Sequence, residues 1–138
     1  MNKGTDIQTG AVGVQVVTTY LPGHSRPEQG QYAFAYTITI SNDGEVPVQL
    51  LSRHWIITDA ESAVQEVRGQ GVVGEQPLIL PGKFFRYTSG ATLATPVGRM
   101  EGSYTMVHRG DSAQASKASG LFQVPIPAFT LHTPTALH

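Results

Sequence analysis

The sequence of 138 residues contains no cysteine. Disulfides, thiolate catalysis, zinc–thiolate sites and iron–sulfur clusters are therefore excluded. Charge is scarce as well: 14% of residues are Asp, Glu, Lys or Arg, well under the usual quarter. Nine basic side chains against ten acidic ones leave a net charge of −1, which argues against nucleic acid as a partner held by bulk electrostatics. No apolar run approaches the length of a membrane-spanning helix. The opening residues, Met1 to Asp6, lack the basic-then-apolar pattern of a secretory signal. The expected compartment is the cytoplasm, with no membrane partner. No window of about eleven residues keeps a clean 3.6-residue period, so amphipathic helices are missing too.

What is present is alternation with a period of two, punctuated by fifteen glycines and nine prolines. In Phe34-Ala35-Tyr36-Thr37-Ile38-Thr39-Ile40 the even positions are large and apolar, the mark of a strand with one buried face. Val12, Val14 and Val16 repeat the pattern, and residues 21–30 between them read as a polar loop with partial disorder. Asn42-Asp43-Gly44 predicts a hairpin turn, with the returning strand from about Val46. The apolar phase then changes from Val48 and Leu50 to Leu51, Arg53, Trp55 and Ile57, which predicts a β-bulge near Leu50–Ser52.

Further strands are expected around Val64–Val67, Leu78–Leu80, Phe84–Tyr87, Val97–His108 and Leu121–Leu131. Ser89 to Pro96 reads as a long loop or irregular crossing, and Gly110 to Gly120 as a flexible hairpin tip. Pro125 and Pro127 cannot donate to a ladder, so the last strand is expected at an edge or broken. Seven or eight short strands without helical crossovers predict one all-β antiparallel domain, a β-sandwich or a barrel.

Several blocks carry a family likeness. Phe34 to Ile40, Pro47-Val48-Gln49-Leu50-Leu51-Ser52-Arg53-His54-Trp55, Gly69 to Gly82, Tyr87-Thr88-Ser89-Gly90 and Thr95 to Met106 together resemble the ApaG family. The likeness covers roughly Val12 to Pro134. It implies a fibronectin type III-like (immunoglobulin-like) sandwich, a single domain over residues 1–138 with its ordered core at about 11–134. It also implies a genetic association with cobalt and magnesium tolerance, and a gene often adjacent to one for diadenosine tetraphosphate hydrolysis. Similar eukaryotic domains look like protein-interaction modules, and no catalytic activity is established for the family.

Gly69-x-Gly71-x-x-Gly74 matches the dinucleotide-binding fingerprint formally. That fingerprint needs a helix behind the glycines. Pro77 and Pro81-Gly82 leave no room for one, so the plain reading is a sharp bend between strands. A second reading is an anion-binding nest of backbone N–H groups. Its candidate residues are Arg68, Gly69, Gly71, Gly74, Lys83 and Arg86, and its ligands phosphate, pyrophosphate or a dinucleotide polyphosphate.

The five histidines, His24, His54, His108, His132 and His138, show no metal-ligand spacing, and the ten acids are scattered. No metal site and no cofactor are expected. No G-x-S-x-G elbow or acid–base–nucleophile set appears, so the chain is not expected to be an enzyme, and nucleotide hydrolysis ranks last. Trp55 reads as a core anchor, Met100 and Met106 as core filling. Arg53, Arg68, Arg86 and Arg99 are candidates for a cationic face, but strand phases place some of them apart. The functional expectation is a non-enzymatic module binding an unknown protein partner. The strand edge opposite the prolines is the better one for pairing with it. The alternative is the small-anion protein just described.

Overall fold

The structure is a computed structural model; it describes residues 11–110 and 120–135, and Thr5–Thr9 by backbone alone. The described residues form nine strands in two antiparallel sheets and contain no α-helix. The first sheet runs β1 (Thr5–Thr9), β2 (Val12–Tyr20), β3 (Tyr32–Asn42), β7 (Phe84–Leu93), in that spatial order. The second runs β5 (Val64–Gln70), β4 (Val48–Asp59), β8 (Val97–His108), β9 (Leu121–His132), and the two-residue β6 (Leu78–Ile79) pairs with the start of β4. This is an antiparallel β-sandwich, one of the two architectures that the alternation allows and the one that the family likeness implies.

The core lies between the sheets, filled by the alternating positions. Val12, Val14 and Val16 of β2 and Phe34, Tyr36, Ile38 and Ile40 of β3 come from one side. Leu50, Trp55, Met100, Tyr104 and Met106 come from the other. Trp55 is the aromatic centre: its ring meets Phe129 edge-on at 5.9 Å and Tyr36 at 5.4 Å between centroids.

The expected bulge is present on β4, where Leu51 is skipped between the pairs Leu50–Met106 and Ser52–Thr105. β9 is an edge strand, and it is bulged rather than broken. Its register jumps between Ile126–Gly102 and Phe129–Met100, so Pro127 and Ala128 together face Glu101. The buried phase switches there from Val124 and Ile126 to Phe129 and Leu131.

Other expectations are corrected. Asn42-Asp43-Gly44 does not close a hairpin, because β3 and β4 belong to different sheets. Asn42 is buried and its amide donates to the carbonyls of Val46 and Ile79, 2.9 Å each, while its Oδ1 accepts from Gly44 N–H. The turn signal is real, but the bonds it makes carry the chain across to the second sheet, where β4 begins at Val48. Ser89 to Leu93 is not loop: β7 continues through it, paired with β3 from Ser41–Phe84 to Tyr32–Leu93. Small side chains hide a strand from a hydrophobic pattern, whereas the ladder with β3 sustains it. The 21–30 segment forms two 3-10 turns, Pro22–His24 and Pro27–Gln29, closed by an Arg26–Gln31 bridge. The tip expected between Gly110 and Gly120 lies, at 111–119, outside the described residues.

The two sides of the sandwich differ. On one side β9 packs against β1 and β2. On the other, the edge strands β5 and β7 flank a gap without comparable packing between them.

Candidate functional site

That gap is a cleft of about 380 Å³ between the sheets. It exists because β7 turns Ser89 and Ala91 inward where its neighbours carry Tyr87 and Leu93, so the inter-sheet space is underfilled at that point. Tyr36 and Trp55 form the apolar floor, and Gln65 and Val67 of β5 the opposite wall.

Arg53 lines the cleft too. On β4 it shares the inward phase of Trp55 and Ile57, so its half-buried guanidinium enters the sandwich. Its Nη1 donates to the carbonyls of Gln70 at 3.1 Å and Gly71 at 2.8 Å. None of the ion pairs among the described residues includes Arg53. Beside it lies a group of buried tyrosines. The hydroxyls of Tyr87 and Tyr104 are bonded to each other, and Tyr36 lies with Ser89 in the cleft lining. Burial pushes all three phenols above their ordinary value, and the positive charge of Arg53 pulls each partly back.

The glycine-rich segment is organised around this arginine. A Cβ on Gly69 would lie 2.8 Å from Cζ, Nη1 and Nη2 of Arg53, so only glycine lets the guanidinium lie flat there. Gly71 has φ +65°, and a Cβ on it would overlap the carbonyl oxygen of Glu75. Val73 and Gly74, both at positive φ, make a two-residue turn closed by reciprocal Val72–Glu75 backbone bonds of 2.8 and 2.9 Å. The bend has no helix behind it, as the prolines predict.

The six residues of the expected anion nest do not share one surface. Gly69, Gly71 and Gly74 lie together, but the N–H groups of Gly71, Val72 and Glu75 are already bonded to carbonyls. Arg68 points out of the five-stranded sheet and donates to Glu66 at 3.0 Å. Arg86 projects from the outer face of the other sheet, bonded to Thr39 and stacked over Phe84, and Lys83 sits in the turn before it. The cation at the loop is Arg53, which the sequence offered only as one scattered arginine. Its phase with Trp55 was the available signal.

A second, shallower cavity of about 420 Å³ lies on the outer face, lined by Ser52, His54, Arg68, Ser103, Thr105 and others. His54 Nε2 is bonded to Glu66, and the His54 bond together with the Arg68 charge holds the Glu66 carboxyl below its ordinary value. Ser103 is the cross-strand neighbour of His54, but the histidine's bond goes to the carboxylate, and no nucleophile–base pair is formed. Among the described residues no three His, Asp or Glu side chains converge to hold a metal ion. His108 instead stacks on Phe122 at 4.4 Å. No helix among the described residues is long and apolar enough to cross a membrane.

The ApaG domain profile matches residues 22–108. This chain belongs to the ApaG family. It is 59% identical over 125 residues to protein ApaG of Ralstonia nicotianae, covering 91% of this chain and 94% of that one. It is 58% identical over 127 residues to protein ApaG of Pseudomonas aeruginosa, covering 92% and 94%. A crystal structure of an ApaA protein from Bordetella pertussis superposes with a TM-score of 0.81 at 47% identity, over 97% of this chain and 98% of that one. The ApaG match takes in the cleft-forming strands β3, β4, β5 and β7 and the glycine-rich bend. None of these ApaG and ApaA names specifies a catalytic activity.

Proposed function

We propose that this ApaG chain is a non-enzymatic module that works in the cytoplasm by binding a protein partner, and that its part in cobalt and magnesium tolerance is exercised through that partner. The observation that carries this reading is the open side of the sandwich, where β5 and β7 both present edges that no other described strand pairs, beside a cleft. A free edge offers a row of N–H and C=O groups to an incoming strand. β9 is unsuited to that use, because Pro125 and Pro127 lack donors and the bulge twists the strand. β5 is the edge opposite those prolines, and β7 faces it across the cleft.

The test uses the intact chain as bait in the native lysate, beside Ala91→Lys, which sets an inward charge on β7 in the way natural edges are protected. A protein retained by the native chain and lost on A91K is expected, and the native gene but not A91K should restore growth of a deletion strain in cobalt. Equal retention by both baits, or none by either, would sink the reading.

A second reading, a small-anion protein for phosphate, pyrophosphate or a dinucleotide polyphosphate, is favoured by one feature: Arg53 is a half-buried cation outside every ion pair of the described residues. Amide shifts at 69–74 on adding pyrophosphate would support it, and their absence at millimolar ligand would remove it.

A further inference from the structure

We propose that the cleft reads a carboxylate: an Asp or Glu side chain, carried by an extended partner segment that adds to the free edge of β7, is received by Arg53. The inference rests on the module reading above and supplies the chemistry of its partner.

β7 is the favoured edge. It runs ten residues, Phe84–Leu93, with no proline and no inward-facing charge. A strand added to it continues the pleat, so alternate side chains go to the outer face with Arg86 and Thr88, and the others enter the cleft beside Ser89 and Ala91. Main-chain bonds supply affinity in such a complex, and the pocket for alternate side chains supplies selectivity.

The pocket's chemistry selects the side chain. The cleft is walled by Trp55, Tyr36 and Val67, so charges inside it are only partly screened. Arg53 brings a full positive charge that no ion pair among the described residues offsets. Nη1 is taken by two carbonyls, which fixes the plane of the guanidinium and leaves its other nitrogens as donors. A planar, pre-oriented fork matches a carboxylate. Ser89 adds a hydroxyl on the β7 side of the same cleft. An incoming Lys or Arg would meet like charge, and an apolar residue would bury Arg53 further without a counter-ion. A free carboxylate would gain the ion pair but none of the main-chain bonds, which is why a peptide segment is the assigned occupant.

Random peptides of about a dozen residues, displayed on phage and panned against the full chain, test this, since strand addition needs only a short extended segment. Enriched peptides should share an Asp or Glu at one aligned position and shift the amides of residues 84–93. Changing that acid to Gln or Asn should weaken binding about tenfold, and Arg53→Gln should do the same, with no further loss when both changes are combined. Arg53→Lys keeps the charge but not the fork and should also weaken binding; the peptide-side change needs no altered protein, so a poorly folding R53Q leaves the test intact. Peptides that bind β7 without an acidic preference and ignore Arg53 would overturn this inference and leave the module reading standing. Failure to enrich any peptide on the open side would overturn both. N-acetylglutamate that shifts Arg53 as strongly as the peptide, without shifts along β7, would replace strand recognition by a small-anion site.

Discussion

Glycine at position 69 is where residue chemistry is most exposed. Its missing Cβ is the space in which the Arg53 guanidinium lies. Gly69→Ala is expected to push the arginine off the Gln70 and Gly71 carbonyls and to cost about 1 kcal/mol, read by urea denaturation, because the displaced guanidinium is the free end of a half-exposed side chain. The cost should shrink in a background of Arg53→Gln, because the two residues share one contact. An unchanged stability for G69A, or strict additivity with R53Q, would refute the arrangement. The three glycines of the formal fingerprint thus have three separate reasons: room for a guanidinium, closeness to a carbonyl, and a positive φ in a turn. That Gly69 and Gly71 are needed for close approach could not be read along the chain, since Arg53 is sixteen residues before Gly69 and Glu75 only becomes a neighbour through the turn.

At the scale of elements, β4 and β8 leave no room for a side chain where Trp55 pairs with Gly102. A Cβ on Gly102 would overlap the carbonyl oxygen of His54, which is backbone and cannot swing aside. Gly102→Ala should therefore lose roughly 2–4 kcal/mol, more than G69A, whose clash is with a side chain. Thermal or urea unfolding of the two variants side by side decides the ranking, and a milder G102A would contradict the geometry. The strands themselves were legible wherever large and small side chains alternate, as in β3. They were illegible in the second half of β7, where Ser89, Gly90 and Ala91 give no hydrophobic signal and only the ladder to β3 keeps the backbone extended. Those same small residues leave the space that becomes the cleft.

The molecule as a whole carries a polar knot inside an otherwise apolar sandwich. Tyr36, Tyr87 and Tyr104 all have phenols raised above 10.0 chiefly by burial. In the unfolded chain they would ionise near 10.0; in the fold they stay neutral to higher pH. Their contribution to stability is thus complete below that pH and is lost as pH rises from there through their folded values. Alkaline unfolding should coincide with the appearance of phenolate absorbance from Tyr36, Tyr87 and Tyr104. Phenolate absorbance that disappears with Tyr36→Phe, Tyr87→Phe or Tyr104→Phe yet develops before any loss of circular dichroism would show the three are not held as described.

The sequence by itself determined an all-β antiparallel domain, the bulge at Leu51 and the absence of a helix behind the glycines, because these follow from local alternation and from backbone groups that a residue has or lacks. Tertiary structure alone decided that Asn42 carries the chain between sheets, that Arg68 and Arg86 point to separate surfaces, and that Arg53 lies in the cleft between β5 and β7. Which face a side chain occupies is set by its own strand; which other strand lies across from it depends on how distant segments pair, and that information is spread over the whole chain.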